Sequence, residues 1–207
     1  DGHTPDVAID GRAMGSMYGG KIQLISTESG AGVRHEGSII ATGDIEISAN
    51  GDVTLTGLRS DKNVTVSGNN IALNKNSSGT GSTEAQNNII LHALSGMTVN
   101  NDVISRNGTI RIDASTLLQN TAAIIAQNSA TTAVPAIQIN VAGQYTLSGK
   151  LKALDANGAV ISGGVVTLKN GDFVVIQNGQ QVPFSTLVSD AEIVSNSGNV
   201  NITAGSM

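Results

Sequence analysis

The chain has 207 residues, of which 39% are apolar and only 13% are charged, and its formal net charge is −5. Its eleven basic residues are scattered along the sequence, which argues against a nucleic-acid interface. Cysteine is absent, so disulfides and thiolate metal sites are excluded. No apolar run approaches the ~18 residues of a membrane-spanning helix. A composition rich in Gly, Asn, Ser and Thr, with Ile and Val recurring periodically, indicates repetitive β-structure rather than disorder.

Short strands separated by turns begin early and recur along the chain. A first strand is predicted at 21–25. Three copies of one short sequence motif follow between Gly43 and Gly68, and each copy is a turn followed by an apolar–polar–apolar run. Apolar residues two positions apart share one face of a strand, and Gly, Asp and Asn favour the turns. Because no helix-length segment separates these strands, the pattern predicts a parallel β-helix with rungs of roughly 20 residues. The crossover rule predicts that it is right-handed.

The repeated motif also predicts which side chains form the core. Parallel strands are expected over 20–128 and 196–207, with alternate apolar residues pointing inward. The predicted core residues are Ile45, Ile47, Val53, Leu55, Val64, Val66, Ile110 and Ile112.

Two segments before residue 130 depart from the repeated motif. Residues 74–87 are polar and rich in Gly and Ser, so they are predicted to form a loop that leaves one rung. Residues 115–128 have the pattern of an amphipathic helix. However, 118–126 aligns with 33–41, and both end in Ile-Ile-Ala. An internal repeat outweighs local propensity, so strands are predicted there.

The pattern loosens between 130 and 190, where Pro135 interrupts it. Within 169–187, two apolar runs flank Asn178-Gly179, which is a strong signal for a β-hairpin. An antiparallel hairpin does not fit inside a parallel coil. It is therefore predicted to be an excursion that lies on the flank of the β-helix.

The segment Ala13–Ala41, AMGSMYGGKIQLISTESGAGVRHEGSIIA, resembles the filamentous haemagglutinin family of two-partner-secretion exoproteins. This family includes adhesins, haemolysins and contact-dependent growth inhibition effectors. The chain matches the family's usual sequence pattern at Ala13, Gly15, Met17, Tyr18, Gly20, Lys21, Ile22, Leu24, Ile25, Thr27, Glu28, Gly32, Val33 and Gly37. The pattern is not matched at Met14, Ser16, Gly19 and His35. The resemblance is specific over 7–70 and implies that residues 1–207 are one β-helix segment of a longer exoprotein, just after its secretion domain.

The resemblance implies a function that composition and periodicity do not give. It implies a structural filament segment, without catalytic activity, of a protein that is secreted across the outer membrane to the bacterial cell surface. Such a segment projects distal adhesive or toxic regions. The implied partners are an outer-membrane transporter during export and a target-cell receptor or glycan. Whether the parent protein is an adhesin, a haemolysin or a growth-inhibition effector stays open, because its carboxy-terminal parts decide that.

The alternative function is a polysaccharide-cleaving β-helix enzyme, which would gather several carboxylates with Lys or Arg in one outer groove. The candidates on outward strand positions are Glu46, Arg111, Asp190 and Glu192, spread over separate rungs. The histidines His3, His35 and His92 have no metal-ligand spacing. We therefore predict no catalytic, cofactor-binding or metal-binding residues.

Recognition favours irregular loops on a rigid scaffold, so the loop 74–87 and the hairpin region 169–187 are the candidates for partner binding. The hairpin is favoured because it combines aromatic and amide side chains with an edge strand that could pair with a partner. The predicted partner-binding residues are Phe173, Asn178, Gln180, Gln181 and Phe184. In the alternative interpretation, the hairpin only covers one side of the coil. Asparagine pairs at the turns are assigned a structural role as stacked amide ladders, at Asn69, Asn70, Asn87, Asn88, Asn100 and Asn101.

Overall fold

A computed structural model describes residues 6–11, 15–127, 137–154, 166–169, 173–177, 180–182, 193–195 and 200–204. The described residues form 21 strands in one sheet, and they contain no helix and therefore no helix that could cross a membrane. The strands are β1 Val7–Asp10, β2 Met17–Gly19, β3 Ile22–Ala41, β4 Ile45–Ser60, β5 Val64–Gly68, β6 Ile71–Leu73, β7 Ser82–Ala85, β8 Ile89–Ala93, β9 Gly96–Val99, β10 Asp102–Ser105, β11 Ile110–Ala114, β12 Leu117–Asn120, β13 Ala123–Gln127, β14 Ile137–Val141, β15 Gln144–Leu147, β16 Lys150–Leu154, β17 Val166–Lys169, β18 Phe173–Gln177, β19 Gln180–Val182, β20 Ile193–Ser195 and β21 Val200–Ala204.

The strands stack as a parallel β-solenoid of about five turns, which confirms the predicted fold class. Each turn contributes one strand to each of three faces. Face 1 contains the starts of β3 and β4, then β5, β8, β11 and β14. Face 2 contains β1, the middles of β3 and β4, then β6, β9, β12 and β15. Face 3 contains β2, the ends of β3 and β4, then β7, β10, β13 and β16.

The core lies between the three faces and is built from columns of stacked apolar side chains. All eight predicted core residues are buried, with at most 1% of their surface exposed. Face 1 illustrates the stacking, since Ile45, Val64, Ile89 and Ile110 pair in register on successive turns. Each buried Ile or Val contributes roughly 1.5 to 3 kcal/mol relative to an exposed one. The repeating register therefore stabilises neighbouring turns together.

Turn length varies along the coil, whereas the faces stay in register. Residues hydrogen-bonded between equivalent positions of adjacent turns are separated by 23, 19, 25, 21 and 27 residues in succession. The sequence analysis predicted roughly 20 residues per rung. In the 25-residue turn the extra residues lie between β6 and β7, whereas in the 23-residue turn they are accommodated by irregularities within β3. The inward columns stay aligned in both turns.

Two strands form within 115–127, as the internal repeat predicted, and not the alternative helix. They are β12 and β13, and Ile124 lies in the same face 3 column as Ile39. The pairing also places Leu118 in the face 2 column that contains Val33. The alignment of 118–126 with 33–41 is thus a structural repeat.

The structure differs from the sequence expectation within 74–87. The part of this range from Ser82 to Ala85 is a strand of face 3, β7, paired with β4 and β10. Thr83 and Ala85 are small enough to occupy inward positions without bulky apolar side chains, and both are buried. The polar loop that projects from this turn is therefore limited to 74–81, hereafter the projecting loop.

The region predicted to be irregular contains a further turn, β14 to β16, stacked on the previous one. The predicted hairpin has an antiparallel pair, in which β18 meets β19. However, β18 also pairs in parallel with β15, with Phe173 opposite Tyr145, so the first hairpin strand extends face 2. Asn178 and Phe184 lie outside the described residues.

Amide ladders form at the turns, as predicted for several of the asparagines. Asn63 donates from its backbone and its side chain to Asp44, and Asn88 donates from its backbone to the Asn63 side chain. These hydrogen bonds, the side-chain bond first, lower the pKa of the half-buried Asp44 carboxyl. A second ladder joins Asn70 to Asp52. The ladders connect the corners of successive turns, where strand pairing ends.

Candidate functional site

Face 3 carries a groove of about 490 Å³ that spans four successive turns. We call it the face 3 groove. Much of its lining consists of small or hydroxylated residues, namely Gly15, Ser16, Gly37, Ser38, Gly57 and Ser82. Ser38 pairs directly with Gly57 on the next turn. Small side chains stacked in register leave a depression where larger ones would fill the surface.

The projecting loop forms one wall of the groove through Asn76, Thr80 and Gly81. The Asn76 side-chain oxygen accepts hydrogen bonds from the backbone N–H groups of Ser78 and Thr80. The backbone N–H of Asn76 in turn donates to the Thr80 carbonyl at 2.6 Å. The loop is therefore held in one shape by its own hydrogen bonds, which makes the wall preformed.

A buried asparagine anchors the projecting loop to the core. Asn101 has no exposed surface, and its Nδ2 donates to the carbonyls of Thr56 and Asn74 at 2.8 and 3.1 Å. Its Oδ1 accepts from the Thr83 hydroxyl at 3.2 Å. At Gly81 (φ +135°), a Cβ atom would lie 2.6 Å from the Thr56 carbonyl oxygen. The loop therefore rests directly on the turn before it.

Charged side chains also line the groove. Glu84 accepts from Ser82 at 2.8 Å and from Arg106 at 3.0 Å. Burial opposes ionisation of Glu84, but these two hydrogen bonds and the charges of Arg106 and Arg59 hold its pKa below the usual value. Arg59 and Glu36 line the groove and are exposed. The groove thus offers both hydrogen-bond donors and acceptors, including an ionised carboxylate.

A smaller, polar groove of about 380 Å³ continues along face 3 beyond the Arg59 and Glu84 side chains, which it shares with the first. At the other end of face 3, Tyr18 is 74% exposed and pairs in register with Ile40, which lines the face 3 groove. An aromatic ring therefore stands beside the groove, with its apolar face open to solvent.

The residues that the sequence analysis singled out for partner binding belong, as far as the structure describes them, to other strands than those at the groove. Phe173 lies in β18, and Gln180 and Gln181 lie in β19. The loop region, which was the less favoured candidate, supplies the wall instead. The groove escaped the sequence analysis because its residues lie about a turn apart in sequence. Glycine and serine recurring at that interval was the signal that could have revealed it.

The candidates for polysaccharide cleavage are dispersed in the described part of the chain. Glu46 and Arg111 share an outward column of face 1 but lie three turns apart, ~14 Å at the usual strand spacing. Glu46 also accepts a hydrogen bond from Gln23 at 2.6 Å. Asp190 and Glu192 lie outside the described residues. No group of three His, Asp or Glu residues within the described ranges could hold a metal ion.

Face 1 stacks a serine, a histidine and an aspartate on successive turns, which the sequence order did not suggest. Ser67 pairs with His92, and His92 pairs with Asp113. However, the Ser67 hydroxyl donates to Ser48, and the nearest His92–Asp113 approach is 3.9 Å. The backbone amides of these paired strands take part in the sheet, so they cannot also serve as an oxyanion hole. We interpret the column as a polar surface ladder.

The fold defines a class of protein, a parallel β-solenoid segment of the kind that the filamentous haemagglutinin resemblance implies. The proteins to which the chain is similar in sequence agree with this class. The chain is 28% identical over 98% of its length to the 16S rRNA endonuclease CdiA of Enterobacter cloacae. It is 26% identical over 93% of its length to the tRNA nuclease CdiA of Yersinia mollaretii. A shorter match, 51% identical over 24% of the chain, is to the protein adenylyltransferase and cysteine protease IbpA of Histophilus somni.

These matches show homology to two-partner-secretion exoproteins, and they confirm the resemblance. The chain spans only 6% of the length of each of those two CdiA proteins and 1% of IbpA. The enzymatic names of the relatives therefore describe proteins of which this chain matches a small part. No family model and no solved structure matches the chain.

Proposed function

We propose that the chain is a structural segment of the filament of a bacterial cell-surface exoprotein, either a contact-dependent growth inhibition effector or an adhesin. The observation that carries this proposal is the similarity over 98% of the chain to a small part of a long CdiA protein. A segment of this kind projects distal regions from the cell. Its own contribution is length and rigidity.

The architecture supports such a role. Stacked turns bury a continuous core, so the solenoid lengthens by ~4.8 Å for each added turn without new interactions. Charged residues make up only 13% of the chain, and cysteine is absent. A chain without disulfides can stay unfolded during passage through an outer-membrane transporter, which is the export partner we propose. Folding on the far side would then follow from stacking one turn on the previous one.

Deletion of one whole turn from the full-length exoprotein tests the proposal. Removing residues 110–136 brings Ile137 directly after Thr109, keeps the later columns in register and removes none of the residues that line the face 3 groove. We expect secretion, surface display and protease resistance to be retained, and target-cell inhibition or adhesion to change little. The matched control removes 110–121, about half a turn, and should abolish protease resistance. Equal loss of target-cell inhibition or adhesion in both deletions, with the whole-turn variant still displayed, would refute a spacer role.

Contact with a target-cell receptor is a further part of the proposed function, and the hairpin is one candidate for it. The antiparallel pairing of β18 and β19 is the observation that favours this region. Because β18 also pairs with β15, a test should leave β18 intact. We expect replacement of Gln180 and Gln181 by alanine to weaken binding to target cells. Unchanged binding by the folded double variant would leave the hairpin as a covering element.

A further inference from the structure

We propose that the face 3 groove binds a short, uncharged, hydroxyl-rich glycan. This ligand class deepens the proposed contact with a target-cell surface and rests on the proposed function only for the biological source of the glycan. The groove volume of about 490 Å³ falls within the range of small-ligand sites, ~300–1,000 Å³. Its four turns span ~14 Å, which suits an extended oligosaccharide rather than a single sugar.

The chemistry of the lining matches sugar hydroxyls, each of which both donates and accepts hydrogen bonds. Glu36 and the ionised Glu84 offer acceptors, and Arg59 offers donors. Ser38 and Ser82 can do either, because a hydroxyl rotates to suit its partner. Charges of both signs border the groove, so neither a polyanion nor a polycation is favoured. The exposed ring of Tyr18, beside the groove, provides a platform for an apolar sugar face.

An extended peptide fits the groove less well. Peptides that bind β-proteins usually add to a free strand edge or insert apolar side chains into pockets. At the groove, the ends of β3 and β4 and the whole of β7 are paired on both sides, so their backbone groups are occupied, and in the described chain β2 at the end of the groove is paired with β3 alone. The large apolar residues of the lining are Ile40 and Leu58, and Leu58 is only 2% exposed. The groove therefore lacks the features that recognise a peptide.

The projecting loop makes the groove preformed, which lowers the ordering cost of binding. Its own hydrogen bonds fix its shape, and Asn101 fixes its base. A weakly bound glycan needs such preorganisation because sugar hydroxyls exchange hydrogen bonds with water at little net gain. Several copies of the site on a cell-surface array would strengthen weak individual contacts.

The test uses the 207-residue chain and saturation-transfer NMR with three neutral trisaccharides, maltotriose, cellotriose and mannotriose, and the acidic trigalacturonate. A Cβ atom at Gly15, which lines the groove, meets nothing within 4 Å, so Gly15→Leu should fold normally and obstruct one end. Gly20 is equally open but lies outside the lining, which makes Gly20→Leu the matched control. Circular dichroism and the thermal midpoint establish folding of each variant.

We expect at least one neutral trisaccharide to bind the wild-type chain and Gly20→Leu alike. Gly15→Leu and Arg59→Ala should each weaken that binding by about tenfold or more. Absence of binding by all three neutral trisaccharides would overturn the proposal, as would binding that Gly15→Leu and Arg59→Ala leave unchanged. Binding of trigalacturonate alone would overturn the uncharged ligand class. Display and export of the full-length protein are measured separately, so failure here is distinguishable from failure of the filament role.

Discussion

Asn101 is the side chain whose replacement should most clearly separate the projecting loop from the solenoid. Asn101→Leu keeps the approximate volume but removes two buried hydrogen bonds, to the Thr56 carbonyl and from the Thr83 hydroxyl, and a part-buried one to the Asn74 carbonyl. A buried polar group left without a partner costs about 1–3 kcal/mol. We therefore expect the free energy of unfolding to fall by at least about 2 kcal/mol, the sum of the two buried groups at the lower bound.

The neighbouring residue supplies a matched control. Asn100 makes a similar number of side-chain hydrogen bonds, to Asn74 and Thr121, but at the surface. Its former partners can bond water after Asn100→Leu, so the expected loss is about 1 kcal/mol or less.

Urea unfolding followed by circular dichroism measures both losses by linear extrapolation. Limited proteolysis adds a local readout, because the released loop should be cleaved faster within 74–81. If Asn101→Leu costs no more than Asn100→Leu and leaves the cleavage rate unchanged, the anchoring role assigned to Asn101 is wrong.

Three further predictions concern the solenoid itself. Ile47→Asp places a carboxylate in a fully buried column, so several turns should unfold together and cooperative melting should be lost; an unchanged melting curve would contradict the assigned core. Gly81→Ala should destabilise the chain by about 1–3 kcal/mol in urea unfolding, since its φ of +135° disfavours a side chain, whereas Gly20→Ala should be nearly neutral. Burial lowers the pKa of His35 below 6.5, so the unfolded chain binds more protons as the pH falls below 6.5, and the stability of the folded chain should decline there. Replacing His35 by leucine, the residue type of its register partner Leu55, should remove that part of the pH dependence. An equal decline in stability of both proteins would refute this prediction.

The His35 prediction rests on geometry as well as on burial. The His35 ring is 1% exposed, and neither of its nitrogens has a partner in hydrogen-bond geometry. The nearby Ser38 backbone raises the pKa of the ring, but by less than burial lowers it. A Cβ atom at Gly11 would collide with the His35 Nδ1 atom, so the ring packs directly against the first turn. Protonation would bury an uncompensated charge at that contact. The sequence analysis gave His35 no such role because the register of β1 on β3 was not predicted.

The core and the strand positions could be predicted because their signals are local. Alternation with a period of two residues identifies inward positions such as Ile47 and Val66, and turn residues mark the corners. The repeat within 118–126 also outweighed a helical pattern correctly. What failed was the end of the polar segment, because β7 fills its inward positions with Thr83 and Ala85. A hydroxyl bonded to Asn101 replaces the apolar side chain that the pattern would require.

The face 3 groove was beyond local patterns because stacking creates it. Ser38 and Gly57 become neighbours only through their register, and their separation depends on the length of one particular turn. Turn length is the link between sequence and surface. The turn from Asn63 to Asn88 spans 25 residues, whereas the one before it spans 19 between equivalent ladder positions. The columns remain aligned across both, so the extra residues must leave the stack, and they form the projecting loop. In this solenoid, the turn whose extra residues leave the stack is therefore the one that converts a uniform scaffold into a distinctive surface.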